Sequence, residues 1–102
     1  MKDEIKGSSK KVISWLIGSN NKTHEVEYNK IEAEFNKMFE GYGLIKNEGH
    51  YKGNKEASCI VEVICFKEYA LNDILNFTQN LKRVLKQEAI YLKMGFINLI
   101  EV

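Results

Sequence analysis

The sequence predicts a single α+β domain in which two helices cover one face of a four-stranded sheet. Two features support this prediction: short apolar runs bounded by turn residues are typical of strands, and two other segments repeat apolar residues with helical spacing. The chain has 102 residues, 44% of them hydrophobic, which suits one domain with one buried core. Residues 1–10 are polar and are predicted to form a flexible N-terminal tail, so the domain spans residues 11–102.

The first half of the chain contains one strand and one helix. The run "KKVISWLIG" predicts a buried strand at residues 11–17. Asn29 is the expected N-cap of the first helix, because Glu32 follows it at the spacing of a capping box. Gly41 and Gly43 are expected to end this helix. Its apolar stripe comprises Ile31, Phe35, Met38 and Phe39.

The second half of the chain contains a hairpin, a second helix and a last strand. The stretches "YGLIKNEGHYK" and "EASCIVEVICF" predict two strands joined by the turn "KGNK". Asn72 or Asp73 is the expected N-cap of the second helix. "EAIYLKM" predicts a fourth strand, and "FINLIEV" after Gly95 predicts a C-terminal fifth strand or a docked tail. The residues expected to face the helices are Ala57, Cys59, Val61, Val63 and Cys65 on the third strand.

The order of these elements predicts a particular topology. Strand, helix, strand, strand, helix and strand in succession form the ferredoxin-like βαββαβ two-layer sandwich. Right-handed crossovers then give the strand order 4-1-3-2, with both helices on one face. Another two-layer α+β sheet built from the same elements is the alternative.

Composition excludes several classes of protein. Fifteen basic and fourteen acidic residues give a net charge of +1, which argues against a nucleic-acid binder. The apolar runs are shorter than the ~20 residues of a membrane span, and no signal sequence precedes them, so a cytoplasmic protein without a membrane partner is predicted. Cys59 and Cys65 are expected to be buried small side chains without a disulfide or a metal.

Three polar stretches are predicted to share one edge of the sheet. The first two strands run in one direction and the last two in the opposite direction. The end of the first strand, the hairpin and the start of the fourth strand therefore meet, and loops at such an edge commonly carry binding groups. The candidate ligand-binding residues are Asn20, Thr23, His24, Glu25, His50, Tyr51, Lys52, Glu56, Ser58, Gln87 and Glu88.

The motifs of several kinds of site are missing from these stretches. The glycine-rich phosphate loops are absent, and so are the stacking aromatic residues of ferredoxin-like RNA binders. Neither histidine lies in a metal-ligand motif, so no metal and no cofactor are predicted. His24 or His50 beside a glutamate suits acid–base chemistry, but without a paired nucleophile no catalytic residue is assigned.

The same residues resemble a small, mostly uncharacterised family of bacterial, archaeal and phage proteins. Its pattern is a first strand ending in G-x-N, followed by T-x-E, a glycine-rich hairpin and a final Q-E-A. This chain matches it over roughly residues 11–94, and His24 departs from it where a small residue is usual. The resemblance implies a ferredoxin-like fold but supplies no activity. The matching residues are Gly18, Asn20, Thr23, Glu25, Gly49, Tyr51, Gly53, Glu56, Ser58, Gln87, Glu88 and Ala89.

The leading functional hypothesis is a non-enzymatic module that binds a small polar, nucleotide-like ligand. Lys52 would meet an anionic group and Tyr51 would stack on the ligand. By analogy with small phage proteins, such a module would be an anti-defence sponge. The alternatives are an inhibitor that binds another protein through its sheet surface and a small acid–base enzyme that uses His24 or His50 with a glutamate.

A homodimer is also predicted from the side of the sheet that carries no helix. In either register the first strand places apolar residues there, and the third strand adds Ile60, Ile64 and Phe66. The dimer is expected to form through this face or by exchange of C-terminal tails, with two-fold symmetry as the default. The alternative is that the C-terminal tail folds back over this surface within one chain.

Overall fold

A computed structural model describes residues 7–102 and shows a four-stranded sheet with two helices. Every pair of neighbouring strands is antiparallel, in the order β2-β3-β1-β4. The predicted ferredoxin-like class and the strand order are both confirmed. The elements are β1 (Gly7–Gly18), α1 (Tyr28–Met38), β2 (Gly43–Tyr51), β3 (Asn54–Cys65), α2 (Leu71–Val84) and β4 (Tyr91–Ile100).

The first strand begins earlier than the sequence predicts. Gly7 pairs with Ile100, and the pairing with β4 continues without a break to Leu16. Residues 7–10, which were assigned to the flexible tail, therefore belong to the sheet, because the end of β4 supplies their hydrogen-bonding partner. The rest of that predicted tail, residues 1–6, lies outside the described residues.

The C-terminal segment is neither a fifth strand nor a docked tail. It continues β4 through Gly95, which pairs with Val12, and on to Ile100. A glycine inside a strand weakens it without ending it when a long neighbouring strand is present. Because the segment stays in the plane of the sheet, it does not fold back over the side without helices.

Both helices begin without the predicted side-chain caps. The N-cap of α1 is Glu27, and Asn29 lies inside the helix. The N-cap of α2 is Ala70, and Asp73 lies in the first turn, where a negative charge complements the helix dipole. At the other end α1 stops at Met38, before either of the predicted glycines, because the chain at Phe39 becomes extended.

The core lies between the helices and one face of the sheet. Trp15 is fully buried at its centre, with the rings of Phe35, Phe39 and Phe77 5.0 to 5.9 Å away in edge-on contact. On β3 the expected small side chains are buried, except that Cys65 is half-buried and Ala57, near the hairpin, is exposed. The other buried apolar residues are Ile13, Ile17, Ile31, Cys59, Val61, Val63, Ile74, Leu81 and Leu85.

Neither helix in residues 7–102 is long and apolar enough to cross a membrane. Both cysteines have free thiols.

Candidate functional site

The end of β1, the start of β3 and the turn before β4 meet at one end of the sheet. Gly18 at the end of β1 is the register partner of Ser58 on β3. The side-chain amide of Gln87 donates hydrogen bonds to the backbone oxygens of Gly18, at 3.2 Å, and Ser19, at 3.1 Å. Gln87 thereby ties the turn after α2 to the loop after β1, and the three segments surround a shared cleft.

The cleft has a volume of about 410 Å³. Four of the residues predicted from the sequence line it: His24, Glu56, Gln87 and Glu88. Six other lining residues were not predicted as site residues: Gly18, Ser19, Asn21, Lys55, Ala57 and Ala89. One cationic side chain, two carboxylates and several hydrogen-bonding groups therefore share the cleft, which suits a small polar ligand.

Asn20 shapes the loop after β1. Its side-chain oxygen accepts hydrogen bonds from the backbone N–H groups of Lys22, at 2.8 Å, and Thr23, at 3.1 Å. Its side-chain amide donates to Oε1 of Glu27 at 2.6 Å. Such local bonds are how asparagine closes a turn. With its polar atoms used in this way, Asn20 holds the loop in shape and does not line the cleft.

The rest of the loop places His24 at the cleft. The backbone N–H of His24 donates a hydrogen bond to the backbone oxygen of Asn20 at 2.8 Å. His24 has a φ of 59°, which non-glycine residues adopt infrequently. The hydroxyl oxygen of Thr23 accepts a hydrogen bond from the N–H of Glu25 at 3.3 Å. Thr23 and Glu25 are exposed beside the cleft and are not among its lining residues.

Glu27 is a structural residue of this loop that sequence reasoning did not identify. Its Oε1 accepts from Asn20, and its Oε2 lies 2.7 Å from Nζ of Lys30. The hydrogen bond from Lys30, followed by that from Asn20, lowers the pKa of Glu27. No short motif links Asn20 to a residue seven positions later, so the pairing depends on the path of the folded loop.

The tip of the β2–β3 hairpin is not part of the cleft. Tyr51 is 62% exposed, and Nζ of Lys52 lies 5.3 Å from the centre of its ring. His50 contacts Glu48, with 3.0 Å between Nε2 and Oε2. Tyr51, Lys52 and His50 are not among the lining residues, although His50 is the register partner of Lys55, which lines the cleft.

Ser58 and Lys55 on β3 have different surroundings. Ser58 accepts a hydrogen bond from the side-chain amide of Asn47 at 2.9 Å, so its hydroxyl pairs within the sheet. Lys55 lines the cleft, with Nζ 3.8 Å from Oε1 of Glu48. Lys55 has the same strand parity as Cys59, which faces the helices.

The described part of the chain, residues 7–102, contains no group of three histidine, cysteine, aspartate or glutamate side chains arranged to hold a metal ion.

Solved structures share this fold, whereas no family model and no curated protein matches the chain. A phage SAM lyase in complex with S-methyl-5'-thioadenosine has a TM-score of 0.63 and 13% identity, over 99% of this chain and 96% of that one. CPII, a nitrogen regulatory PII-like protein from Thiomonas intermedia K12 bound to ADP, AMP and bicarbonate, has a TM-score of 0.58 and 12% identity, over 92% and 96%. A DUF3240 family protein from Shewanella baltica OS155 has a TM-score of 0.55 and 13% identity, over 82% and 86%. At these identities the likeness is one of fold, and the resemblance to small ferredoxin-like bacterial and phage proteins is confirmed at that level.

Proposed function

We propose that this protein is a non-enzymatic binding module that captures a small ligand of the adenine nucleoside or nucleotide class. The observation that carries the proposal is the cleft at the end of the sheet, which three distant parts of the chain build together. Gln87 and Asn20 hold its walls through five hydrogen bonds of 2.6 to 3.2 Å. A site held in shape before the ligand arrives loses little entropy on binding.

Four side chains of the lining suit such a ligand. Lys55 supplies a positive charge for a phosphate or carboxylate group. Asn21, His24 and Ser19 supply hydrogen-bonding groups for a ribose or a base. Gly18 leaves room for the side chain of Gln87 in one wall, since a Cβ atom at this position would lie only 3.3 Å from Oε1 of Gln87.

Two of the structures with this fold support the choice of ligand class. The phage SAM lyase holds S-methyl-5'-thioadenosine, and CPII holds ADP and AMP. These ligands share an adenine nucleoside, and each protein matches more than nine-tenths of this chain. Capture without turnover would make this protein a sponge for an adenine nucleotide, the role suggested by analogy with small phage proteins.

The test combines the native ligand with defined probes. Mass spectrometry of small molecules released from the purified protein should detect an adenine-containing compound. Titration calorimetry with AMP, ADP and S-methyl-5'-thioadenosine should show binding of at least one of them, with GMP as the control for base selectivity. If no adenine compound is released and none of the three produces heat, the proposal is wrong.

A second candidate, a small acid–base enzyme, is favoured by one observation. His24, Glu56 and Glu88 line the same cleft, so an imidazole and two carboxylates, the side chains of general acid–base catalysis, lie together. The test is incubation with SAM and detection of S-methyl-5'-thioadenosine by mass spectrometry. Product formation that is lost in Glu88→Gln or His24→Ala would establish the enzyme and exclude a purely binding role.

A further inference from the structure

One face of the sheet carries no helix, and we call it the open face. Side chains alternate along a strand, so the neighbours of the buried Ile13, Trp15 and Ile17 lie on this face together with their register partners. One row of register partners crosses all four strands. It comprises Ile45, Ile60, Leu16 and Tyr91.

The apolar residues of this row remain accessible in the single chain. Ile45 is 50% exposed, Leu16 is 38% exposed and Tyr91 is 70% exposed. Val12 and Ile64 form a second apolar pair on the same face, four residues before Leu16 along β1. An exposed apolar patch of this extent is uncommon in soluble monomers and marks an interaction surface.

Between these two apolar rows lies a row of opposite charges. Ser14 of β1 has Glu62 of β3 on one side and Lys93 of β4 on the other. Neighbouring strands lie about 4.8 Å apart, so the two charged residues flank β1 at similar distances. The hydroxyl of Ser14 donates to Oε2 of Glu62 at 3.4 Å, which places that carboxylate over the open face.

We propose that the open face is buried against a second copy of this chain, related by a two-fold axis parallel to β1. This axis lies between the two sheets and above Ser14. A half-turn about it places β3 of one copy opposite β4 of the other. Each residue keeps its position along the strand direction. Glu62 of each copy then meets Lys93 of the other, and two ion pairs form across the interface. The row through Ser14 is therefore electrostatically complementary to itself.

The same operation matches the shapes of the apolar rows. Ile60 of one copy meets Tyr91 of the other, and Leu16 lies against its own counterpart on the axis. Ile64 of one copy faces Gly95 of the other, where the absence of a side chain leaves room for it. Within one chain a Cβ atom at Gly95 would meet nothing within 4 Å. At that position a large side chain meets a residue without one, which suits close packing.

A two-fold axis across the strands gives a worse arrangement. It places Glu62 over Glu62 and Lys93 over Lys93, or places these charges over the apolar rows. Buried charges without an opposite partner are costly, and their repulsion selects against that orientation. Charge complementarity therefore favours a second copy as the occupant and determines its orientation.

A charge exchange tests the proposal on the intact protein. Light scattering at micromolar concentration should give a mass of about twice the 11.8 kDa of one chain. Glu62→Lys or Lys93→Glu alone should lower the mass toward one chain, and the double exchange should restore it. Glu32→Lys, the same charge change on the exposed side of α1, should leave the mass unchanged.

A second variant separates association from folding. Gly95→Val should weaken association because it fills the space opposite Ile64, while a single chain has room for the added side chain. Its melting temperature, measured at a concentration where both proteins are monomeric, should not fall. A wild-type mass of one chain would overturn the proposal. So would a double exchange that associates no better than the single variants, as expected if another protein covers this face.

Discussion

The indole N–H of Trp15 on β1 donates a hydrogen bond to the hydroxyl of Thr78 on α2, with 2.9 Å between Nε1 and Oγ1. Trp15 is fully buried, and Thr78 is 8% exposed. The hydroxyl in turn donates to the backbone oxygen of Ile74 at 2.7 Å. A large aromatic residue can occupy the centre of this core because a helix on the other side supplies the acceptor that its N–H requires.

Thr78→Val should destabilise the fold by about 1–3 kcal/mol, because it keeps the shape of the side chain and leaves the indole N–H without an acceptor. Thermal unfolding followed by tryptophan fluorescence would measure the loss. Thr78→Ser is the matched control, since it keeps the hydroxyl and should be closer to the wild type. Equal stability of the valine variant and the wild type would contradict this assignment.

Glu34 should make the stability of the protein depend on pH. Its Oε2 lies 2.5 Å from Nζ of Lys37, and its Oε1 accepts a hydrogen bond from Asn80 of α2 at 2.9 Å. The hydrogen bond from Lys37 lowers the pKa of Glu34, against the opposing effect of burial. A carboxyl group with a lowered pKa in the folded state stabilises the fold above its unfolded pKa. That contribution disappears as the pH falls through the folded pKa.

We therefore expect Glu34→Gln to cost about 1–2 kcal/mol near pH 7 and much less in acid. Urea unfolding at a series of pH values would show the two stability curves converging as the wild-type carboxylate becomes protonated. Glu32→Gln changes an exposed residue on the same helix, and its stability should vary with pH in parallel with that of the wild type. A gap between Glu34→Gln and the wild type that stays constant with pH would exclude an electrostatic cause.

The two cysteines should differ in reactivity. Burial raises the pKa of Cys59 to about 11. Burial also raises the pKa of the half-buried Cys65, partly offset by the charge of Lys11. Since the thiolate is the reactive form, iodoacetamide near pH 8 should modify Cys65 first and leave Cys59 intact until the protein is unfolded in urea. Peptide mass spectrometry over time would measure both rates, and equal rates in the folded protein would refute the prediction.

Lys55 should matter for ligand binding more than Lys52. Only Lys55 lines the cleft, whereas Lys52 lies at the hairpin tip. Lys55→Ala should weaken the binding of AMP or ADP by about tenfold, the loss expected for one charged hydrogen bond. Lys52→Ala is the matched control, and titration calorimetry compares the two. A loss of affinity in the Lys52 variant alone would move the site to the hairpin tip.

The sequence predicts the fold better than it predicts the site. The order of the elements follows from local periodicity, and the strand order follows from the handedness of the crossovers, so neither needs knowledge of distant contacts. The alternation around Val61 and Val63 likewise identifies the face of β3 that packs against the helices. By contrast, the predicted caps, Asn29 for α1 and Asn72 or Asp73 for α2, were wrong. Polar residues occur at several positions near a helix start, and each of these positions can satisfy the local rules for a cap.

The candidate site, too, was predicted only in part. Strand directions are sufficient to bring Gly18, the hairpin and Gln87 to one end of the sheet. Whether a polar side chain there faces the cleft depends on its other contacts. Asn20 uses its amide to close the loop, and Ser58 pairs with Asn47 within the sheet. These contacts join residues that no short motif connects.

The sequence by itself determined the order of the elements and the apolar stripes of the helices, because apolar periodicity is a local property of the chain. Tertiary structure alone decided where β1 begins and where β4 ends, since residues 7–10 become a strand only when residues 97–100 lie beside them. It also decided that Lys55, rather than Lys52, reaches the cleft. Both outcomes depend on the pairing of distant backbone segments, and that pairing is fixed only when the whole sheet has formed.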